Sequence, residues 1–327
     1  MTLQPTVTVI IPMRNERDWI RRSLTSVFAQ NYPAERFDVI VVDGMSDDGS
    51  FEILQELAAE NPRLRVLRNP ACIVPSSLNR AIRAAGGEII ARVDMHTMLA
   101  EDYLSVGVET LRRTGAENVG GPMVKLGGGK VGDAIAAAMS SRFGVGSYFQ
   151  YGSEEREADT VYMGMWPREA FEQVGLFDEE LIRNQDDEFN YRLRKHGGRI
   201  IVTPRMRSSY QNRQSWQKLT RQFYEYGVWK ARVLQKHPAQ MSVRHYVPPA
   251  FDLAVICGLA SSPLGALGPA LSLGAICAYL LVVAVVAMAC EQARGNRSRL
   301  VLAFVLIHQA WALGFLVGMV RFAPRWF

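Results

Sequence analysis

Along the first 200 positions, short unbroken apolar runs alternate with segments whose apolar residues recur every three or four places. Val7-Thr8-Val9-Ile10-Ile11-Pro12 is the first run, stopped by proline, as expected of a strand buried on both faces. After Arg14-Asn15-Glu16, residues Ile20, Leu24, Val27 and Phe28 share one helical face, and Pro33 ends that segment. Residues 37–42 predict a second buried strand, closed by the polar, glycine-containing turn 43–50 and a helix over 51–60. A third strand over 64–67 and a third helix over 75–85 follow. Gly86-Gly87 then restart the chain into Glu88-Ile89-Ile90-Ala91-Arg92-Val93, an apolar run that ends in Asp94 and His96. This regular alternation predicts an α/β fold with a parallel sheet. Further on, the pattern predicts a helix over 101–113, a strand over 119–124, a helix over 131–142, a strand over 160–168 and a helix over 189–195. Gly127-Gly128-Gly129-Lys130 reads as a flexible loop, residues 144–159 as a mobile lid and residues 171–178 as a turn.

The pattern changes near the C-terminus. Residues 253–290 contain no Asp, Glu, Lys, Arg or His, and residues 300–320 carry only His308 among those types. Stretches of about 18 or more such residues read as membrane-spanning helices. Pro263 and Pro269 divide the first stretch into a hairpin, and Arg294, Arg297 and Arg299 put the next loop in the cytoplasm. A third full span would leave the C-terminus outside, whereas Arg321 and Arg325 favour the inside. A re-entrant or interfacial third segment would resolve this, so two or three segments are expected within 247–327. No secretory leader is expected at the N-terminus, because the apolar run there is too short.

Charge adds a second boundary. Of a formal net charge of +5, residues 205–244 carry nine Lys or Arg against the single acid Glu225, or +8, leaving −3 for the rest. A basic block just before apolar spans suits the anionic cytoplasmic face of a membrane. A nucleic-acid partner is not expected, since no stacking platform or recognised motif accompanies the block. Trp216, Leu219, Phe223, Tyr226 and Val233 recur at helical spacing, with Lys218, Arg221, Arg232 and Lys236 mostly opposite. That predicts an interfacial amphipathic helix, although a core-packed surface helix has the same pattern. The cysteines Cys72, Cys257, Cys277 and Cys290 suit neither a zinc site nor a disulfide framework, consistent with a reduced, cytosolic catalytic part.

Three acidic positions carry candidate chemistry. On an extended chain Asp94 and His96 point to the same side and could share one divalent cation beyond the strand end; the alternative is a cap for the next helix. Asp43 could accept hydrogen bonds from a nucleoside, or could be a turn aspartate bonding its own backbone. Asp186-Asp187-Glu188 could complement a helix dipole. Asp186, placed at the entrance of that helix, could also serve as general base. Neither a dinucleotide fingerprint nor a phosphate-cradling Gly-x-x-x-x-Gly-Lys is present.

In this order the motifs resemble family 2 glycosyltransferases of the GT-A fold, inverting enzymes that use nucleotide-diphosphate sugars. Val7 to Glu16 is similar to the family's first strand, Asp43 to its uracil-binding aspartate and Asp94-Met95-His96 to its metal-binding Asp-x-Asp. Gln185 to Arg192 is similar to Glu-Asp-x-Asp-Leu-x-x-Arg, whose first Asp is the base, here Asp186. The resemblance implies a Rossmann-like, mostly parallel catalytic domain over 1–204, basic interfacial helices over 205–246 and transmembrane helices over 247–327. It implies nucleotide-sugar binding by Pro12, Arg14, Asn15, Glu16, Asp43, Asn69, Asn79 and Asp94, and Mn²⁺ or Mg²⁺ held by Asp94 and His96. Met163, Gly164, Trp166, Arg213, Trp216 and Arg221 would serve the acceptor, Trp166 by packing on a sugar face (ordinary core packing of the strand is the alternative) and Arg213 and Arg221 as diphosphate contacts.

Two departures affect the chemistry: His96 replaces an Asp and suits Mn²⁺ better than Mg²⁺, and Gln185 replaces a Glu beside the base. Gln222-Phe223-Tyr224-Glu225-Tyr226 departs from the Gln-x-x-Arg-Trp motif of processive relatives, against a polymerising synthase. Within the family the likeness is to the bacterial succinoglycan/exopolysaccharide glucosyltransferase branch. That implies a UDP-sugar donor, a polyprenyl-diphosphate-linked saccharide acceptor and an inner-membrane enzyme with its catalytic domain in the cytoplasm. A polyprenyl-phosphate hexose synthase is the alternative enzyme. A catalytically silent membrane scaffold is the alternative of another class, against which Asp43, Asp94 and Asp186 together speak. The oligomeric state has no signature in the sequence.

Overall fold

The structure, a computed structural model, describes residues 4–145, 153–211, 214–293 and 295–325. It divides into two compact units, one made of Met1–Lys125 with Ser147–Gln211 and the other of Leu126–Gly146 with Asn212–Phe327. Residues 126–146 therefore join the C-terminal helices, a division that does not follow the boundary expected at 204.

In chain order the first elements are β1 (Val7–Met13), α1 (Ile20–Phe28), β2 (Phe37–Asp43), α2 (Ser50–Glu60), β3 (Leu64–Arg68), α3 (Val74–Ala84) and β4 (Ile89–Arg92). Next come β5 (Thr97–Leu99), α4 (Tyr103–Thr114), β6 (Asn118–Gly121), β7 (Met123–Leu126) and α5 (Gly129–Met139). Then follow β8 (Arg156–Glu157), β9 (Tyr162–Pro167), α6 (Glu169–Val174), α7 (Gln185–Lys195), β10 (Ile200–Val202) and β11 (Ser208–Gln211). The chain closes with α8 (Trp216–Lys236), α9 (Val243–Ala260), α10 (Leu267–Ala289) and α11 (Arg297–Arg321).

Eight of the described strands form one sheet in the order β3-β2-β1-β4-β9-β6-β10-β8. The apolar runs of β1 and β2 are buried on both faces. Val9, Ile11, Val39 and Val41 enter the core layer with Leu24 and Leu104, while Ile10, Ile40 and Val42 enter the opposite layer with Leu78, Ile82 and Phe189. That two-residue alternation explains why these runs show no polar face. The chain runs outward from β1 to β2 and β3 and then returns to β4 on the other side of β1, all in parallel. The β1/β4 border is thus the point where the winding reverses, and the crevice beyond such strand ends is where open α/β sheets bind ligands.

Beyond β4 the regular alternation stops. β9 runs antiparallel to both β4 and β6, so the sheet is mixed here, in keeping with the mostly parallel sheet that the resemblance implied. The single strand expected over 119–124 is two strands in different sheets, since β7 belongs to a second sheet in the order β5-β11-β7. A short helix, α6, occupies part of the expected turn. α7 begins at Gln185, four residues before the expected start, because Asn184 turns the chain through the left-handed region (φ 63°) into the helix. Of the expected lid, residues 146–152 lie outside the described residues.

In the second unit the apolar face of α8 lies against α11. Leu219 and Phe223 pack with Phe304 and Ile307, and Val228, Ala231 and Leu234 with Phe315 and Phe322. Gly227 and Gly314 permit this approach: a Cβ at either would collide with backbone atoms of the partner helix. The core-packed reading of α8 therefore holds for this face. Among the described residues, α10 and α11 are the two helices long and apolar enough to cross a membrane. The hairpin break falls at 262–264, around Pro263, and Ser272 Oγ of α10 donates to the Val255 carbonyl of α9 at 3.1 Å. Leu271, Leu281, Val285 and Met288 of α10 are exposed.

Gly87, at the turn into β4, has no room for a side chain. An added Cβ would lie 2.5 Å from the Thr8 backbone nitrogen, whereas one at Gly86 would meet nothing within 4 Å. Gly87→Ala should destabilise the protein by roughly 1–3 kcal/mol through forced backbone movement, with Gly86→Ala close to neutral. Thermal unfolding of the two variants side by side checks this, and equal midpoints would contradict the packing.

Candidate active site

The first two loops beyond the sheet are stitched to one another. Asn15, held in the left-handed region at φ 55°, donates its backbone N–H to Ser46 Oγ at 2.9 Å, and its Oδ1 accepts from Asp47 N at 3.1 Å. The Glu16 N–H reaches Ser50 Oγ at 3.0 Å. Pro12 and Arg14 flank this seam at the end of β1. Asp43 closes β2 with its side chain fully enclosed; both oxygens accept from the Ser46 N–H at 3.2 Å, and Arg68 Nε lies 3.5 Å away. The turn-aspartate alternative is thus what the structure displays at Asp43.

β4 ends at Arg92, and Asp94 to His96 form a tight turn in which the Thr97 N–H donates to the Asp94 carbonyl at 2.9 Å. The extended geometry expected to align Asp94 with His96 is therefore absent, because the chain must reverse here to enter β5. The two side chains take different partners. Arg92 Nε donates to Asp94 Oδ1 at 3.0 Å. His96 Nδ1 donates to Glu16 Oε1 at 3.0 Å, and its ring meets Tyr210 edge-on at 4.9 Å.

The same Arg92 reaches across to α7, where Nη1 donates to Asp186 Oδ1. This guanidinium brings Asp94 and Asp186 together at the switch point. Arg92 is 9 % exposed, Asp94 18 % and Asp186 38 %, so the cation lies beneath and both carboxylates face outward. Although one edge of Asp186 stays open, desolvation by the surrounding protein raises its carboxyl above the ordinary range; Arg92 opposes this, and the nearby Asp94 and Asp187 charges reinforce it. Its two carboxylates hold the Arg92 guanidinium protonated despite burial.

Because α7 begins at Gln185, Asp186 sits in its first turn, not ahead of it as expected. The rest of the motif anchors the helix. Glu188 forms a buried fork with Arg192 (2.6 and 3.0 Å), Arg192 donates to the Val174 and Leu176 carbonyls, and Asn190 accepts from Asn118 Nδ2 at 2.7 Å.

Below the turn, Met163 is a non-glycine residue at φ 48°, a costly conformation of the kind that clusters at functional sites. Its sulfur accepts the Asp94 N–H at 3.3 Å, and its carbonyl accepts from Tyr103 at 3.0 Å. Met163 thus supports the turn that carries Asp94.

Several expected ligand contacts are absorbed by the fold. Trp166 is 3 % exposed, with its ring against Phe171, Phe177 and Phe189, so it is core and cannot stack on a sugar. At Gly164 the place of a side chain is filled by Asn118 and the Trp166 ring. Asn69 spends its whole amide on Ile73, Ser77, Ala71 and Ser76. Asn79 binds Phe177 through both its nitrogen and its oxygen, and Glu179 through the nitrogen. These two amides brace loops and have little left for a nucleotide. Trp216 and Arg221 belong to the second unit; Trp216 is partly buried against its core, and the exposed Arg221 pairs with Glu225 at 2.9 Å. Arg213 lies outside the described residues.

The donor set fits a divalent cation in kind. With Nδ1–H on a carboxylate, His96 keeps Nε2 as a ligating lone pair, the usual arrangement behind a metal-bound imidazole. Among the described residues no three His, Cys, Asp or Glu side chains converge on one point. Asp94 and His96 are thus donors of a suitable kind that the turn directs to Arg92 and Glu16. Reading from sequence gave Arg92 no role at the site, although a lone arginine closing the apolar run Ile89-Ile90-Ala91 was a visible signal: a buried cation requires carboxylate partners.

The chain is 31% identical to the succinoglycan biosynthesis protein ExoA of Rhizobium meliloti (strain 1021), over 97% of this chain and 96% of that protein. It is 29% identical to a dolichyl N-acetyl-alpha-D-glucosaminyl phosphate 3-beta-D-2,3-diacetamido-2,3-dideoxy-beta-D-glucuronosyltransferase of Methanococcus voltae, over 70% of this chain and 74% of the relative. In fold it is similar to the mannosyltransferase PcManGT from Pyrobaculum calidifontis, solved in complex with GDP-Man and Mn2+. The TM-score is 0.61 at 21% identity, covering 94% of this chain and 88% of that one. Residues 8–174, just over half of the chain, match the glycosyl transferase family 2 description. With a mixed α/β sheet of the GT-A kind and a relative aligned over nearly its whole length, the chain belongs to glycosyl transferase family 2.

Proposed function

We propose that the chain is a membrane-bound inverting hexosyltransferase. It moves a hexose, glucose in our reading, from a UDP-sugar to a polyprenyl-diphosphate-linked saccharide during exopolysaccharide assembly. The observation that carries this reading is the meeting of Asp94 and Asp186 at the β1/β4 switch point. The full-length similarity to ExoA supports the pathway class, and the lipid-phosphate acceptor named for the Methanococcus voltae relative supports a lipid-linked acceptor.

The donor's nucleoside lies over the stitched loops after β1 and β2, with Arg14, Asn15 and Glu16 nearest its path. Asp94 and His96 would hold a divalent cation, which would supply positive charge to neutralise the departing diphosphate. Asp186 Oδ1 stays on Arg92, and Oδ2 takes the proton of the acceptor hydroxyl as that oxygen attacks the anomeric carbon. One C–O bond forms as the sugar–phosphate bond breaks on the opposite face, so configuration inverts and no enzyme nucleophile is needed. The exposed leucines and valines of α10 face the bilayer and keep the enzyme where its lipid acceptor resides.

Asp186→Asn should lower turnover by roughly 100- to 10,000-fold while leaving UDP binding nearly intact, with Asp187→Asn much milder. Turnover of purified protein with UDP-sugars and lipid-diphosphate or lipid-monophosphate acceptors measures this and separates saccharide extension from direct transfer to lipid phosphate. Near-normal turnover in the Asp186 variant removes it as base.

A base must be deprotonated to act. Because the Asp186 pKa is raised, kcat/KM should fall as pH drops through a value above that of an ordinary carboxylate. An acid limb at the usual carboxylate position, or one that survives in Asp186→Asn, would contradict the assignment.

EDTA should abolish turnover, and Mn²⁺ should restore it at least as well as Mg²⁺. Asp94→Ala should weaken UDP binding with metal present but not in its absence. Full activity in EDTA rejects the cation site.

A further inference from the structure

Arg92 is an enclosed charge whose two partners lie on different elements. Its strand partners Ile89, Ile90 and Ala91 are buried and apolar, and the guanidinium is enclosed at the end of the run. Its two contacts use different edges of the fork. Nε is on Asp94 Oδ1 at 3.0 Å, two residues along the same chain, while Nη1 is on Asp186 Oδ1, 94 residues away on another element. One buried positive charge is therefore shared by the carboxylate that holds the cation and the carboxylate that takes the proton. A planar, permanently charged fork can do this, whereas a lysine ammonium is a single point of charge.

We infer that Arg92 is a positioning residue that competes with the divalent cation for Asp94 and thereby ties the orientation of Asp186 to donor loading. The inference rests on the transferase reading above and deepens it. Without donor, Arg92 holds both carboxylates, each through its Oδ1. As Asp94 turns to the cation, the Nε contact opens. The Nη1 contact then holds Asp186 alone, with Oδ2 presented to the acceptor hydroxyl. Two like charges cannot share the Asp94 carboxylate without mutual repulsion, which gives the coupling its sign. His96 fits the same scheme. As a neutral ligand backed by Glu16 it adds no second negative charge to the cation site, so Asp94 is the anionic donor there for which Arg92 and the cation compete.

The test uses full-length protein and measures Mn²⁺ binding directly in the absence of donor, beside steady-state kinetics. Arg92→Gln should bind Mn²⁺ at least about fivefold more tightly, the lower end of ordinary coupling factors. Its kcat should fall by roughly 100-fold or more, as for a misplaced base, with little change in donor KM. Damage of a merely structural kind would weaken cation binding and turnover together, so the opposite signs are diagnostic. Unchanged or weaker Mn²⁺ binding in an Arg92→Gln protein that still binds UDP normally overturns the inference.

Arg92→Lys provides a second measurement should the glutamine variant fail to fold. The compact ammonium cannot place donors on both carboxylates in the guanidinium's planar geometry, so either the Mn²⁺ affinity rises or kcat falls while the other stays near wild type. Wild-type values for both overturn the inference. Wild-type protein that turns over fully in EDTA overturns the cation reading and this inference with it. A normal metal requirement with no split in the variants overturns this inference alone.

Discussion

A charge enclosed in an apolar strand end must be neutralised where it lies, and this constraint organises the catalytic unit. Arg92 is the enclosed charge, and its two partly exposed carboxylates supply that neutralisation. Arg92 therefore holds Asp94 to the turn after β4 and draws the start of α7 to the same place. The helix is not free to answer that pull from any direction. The Glu188–Arg192 fork and the Asn118–Asn190 hydrogen bond set its rotation. With those fixed, Asp186 emerges beside Asp94 while its neighbours Glu188 and Phe189 turn inward.

β9 supplies the floor of this arrangement. Inserted antiparallel between β4 and β6, it places Met163 under the Asp94 turn and sends Trp166 into an aromatic cluster with Phe171, Phe177 and Phe189. The left-handed Met163 is tolerated because Tyr103 fixes its carbonyl and the Asp94 N–H engages its sulfur. Backbone strain of about 1–3 kcal/mol is thus spread over a network of buried partners at the site, where a displaced turn would separate Asp94 from Arg92.

How far this was legible in the sequence depends on the range of the interactions. The elements from β1 to β4 follow from local periodicity, since each buried strand is a contiguous apolar run and each helix has one apolar face. The order of the motifs along the chain singled out Asp94 and Asp186, the two carboxylates that the fold brings to Arg92. What stayed hidden depends on pairing between distant residues. No local pattern states that β9 runs antiparallel, that 119–124 splits between two sheets, or that Asn184 starts α7 four residues early. Trp166 illustrates the limit: an aromatic at a strand end has the same spacing whether it faces a ligand or the core. Asn69 and Asn79 do likewise, since an amide that braces a loop and one that binds a nucleoside differ only in the partner.

The C-terminal helices carry the same lesson for membranes. α10 and α11 pass the same length and hydropathy criteria, yet their surroundings within the second unit differ. α10 leaves Leu271, Leu281, Val285 and Met288 bare, and lipid is the solvent in which such a surface costs least. α11 instead has Leu300, Phe304, Ile307 and Phe315 buried, and the glycine-notched contact seats α8 along it. α8 carries Lys218, Arg221, Arg232 and Lys236, side chains costly to hold in hydrocarbon. A helix bound along such a partner has much of its apolar surface already satisfied by protein. Hydropathy counts apolar residues without asking what covers them. Bare side chains on α10 therefore argue for lipid more strongly than the equally apolar sequence of α11.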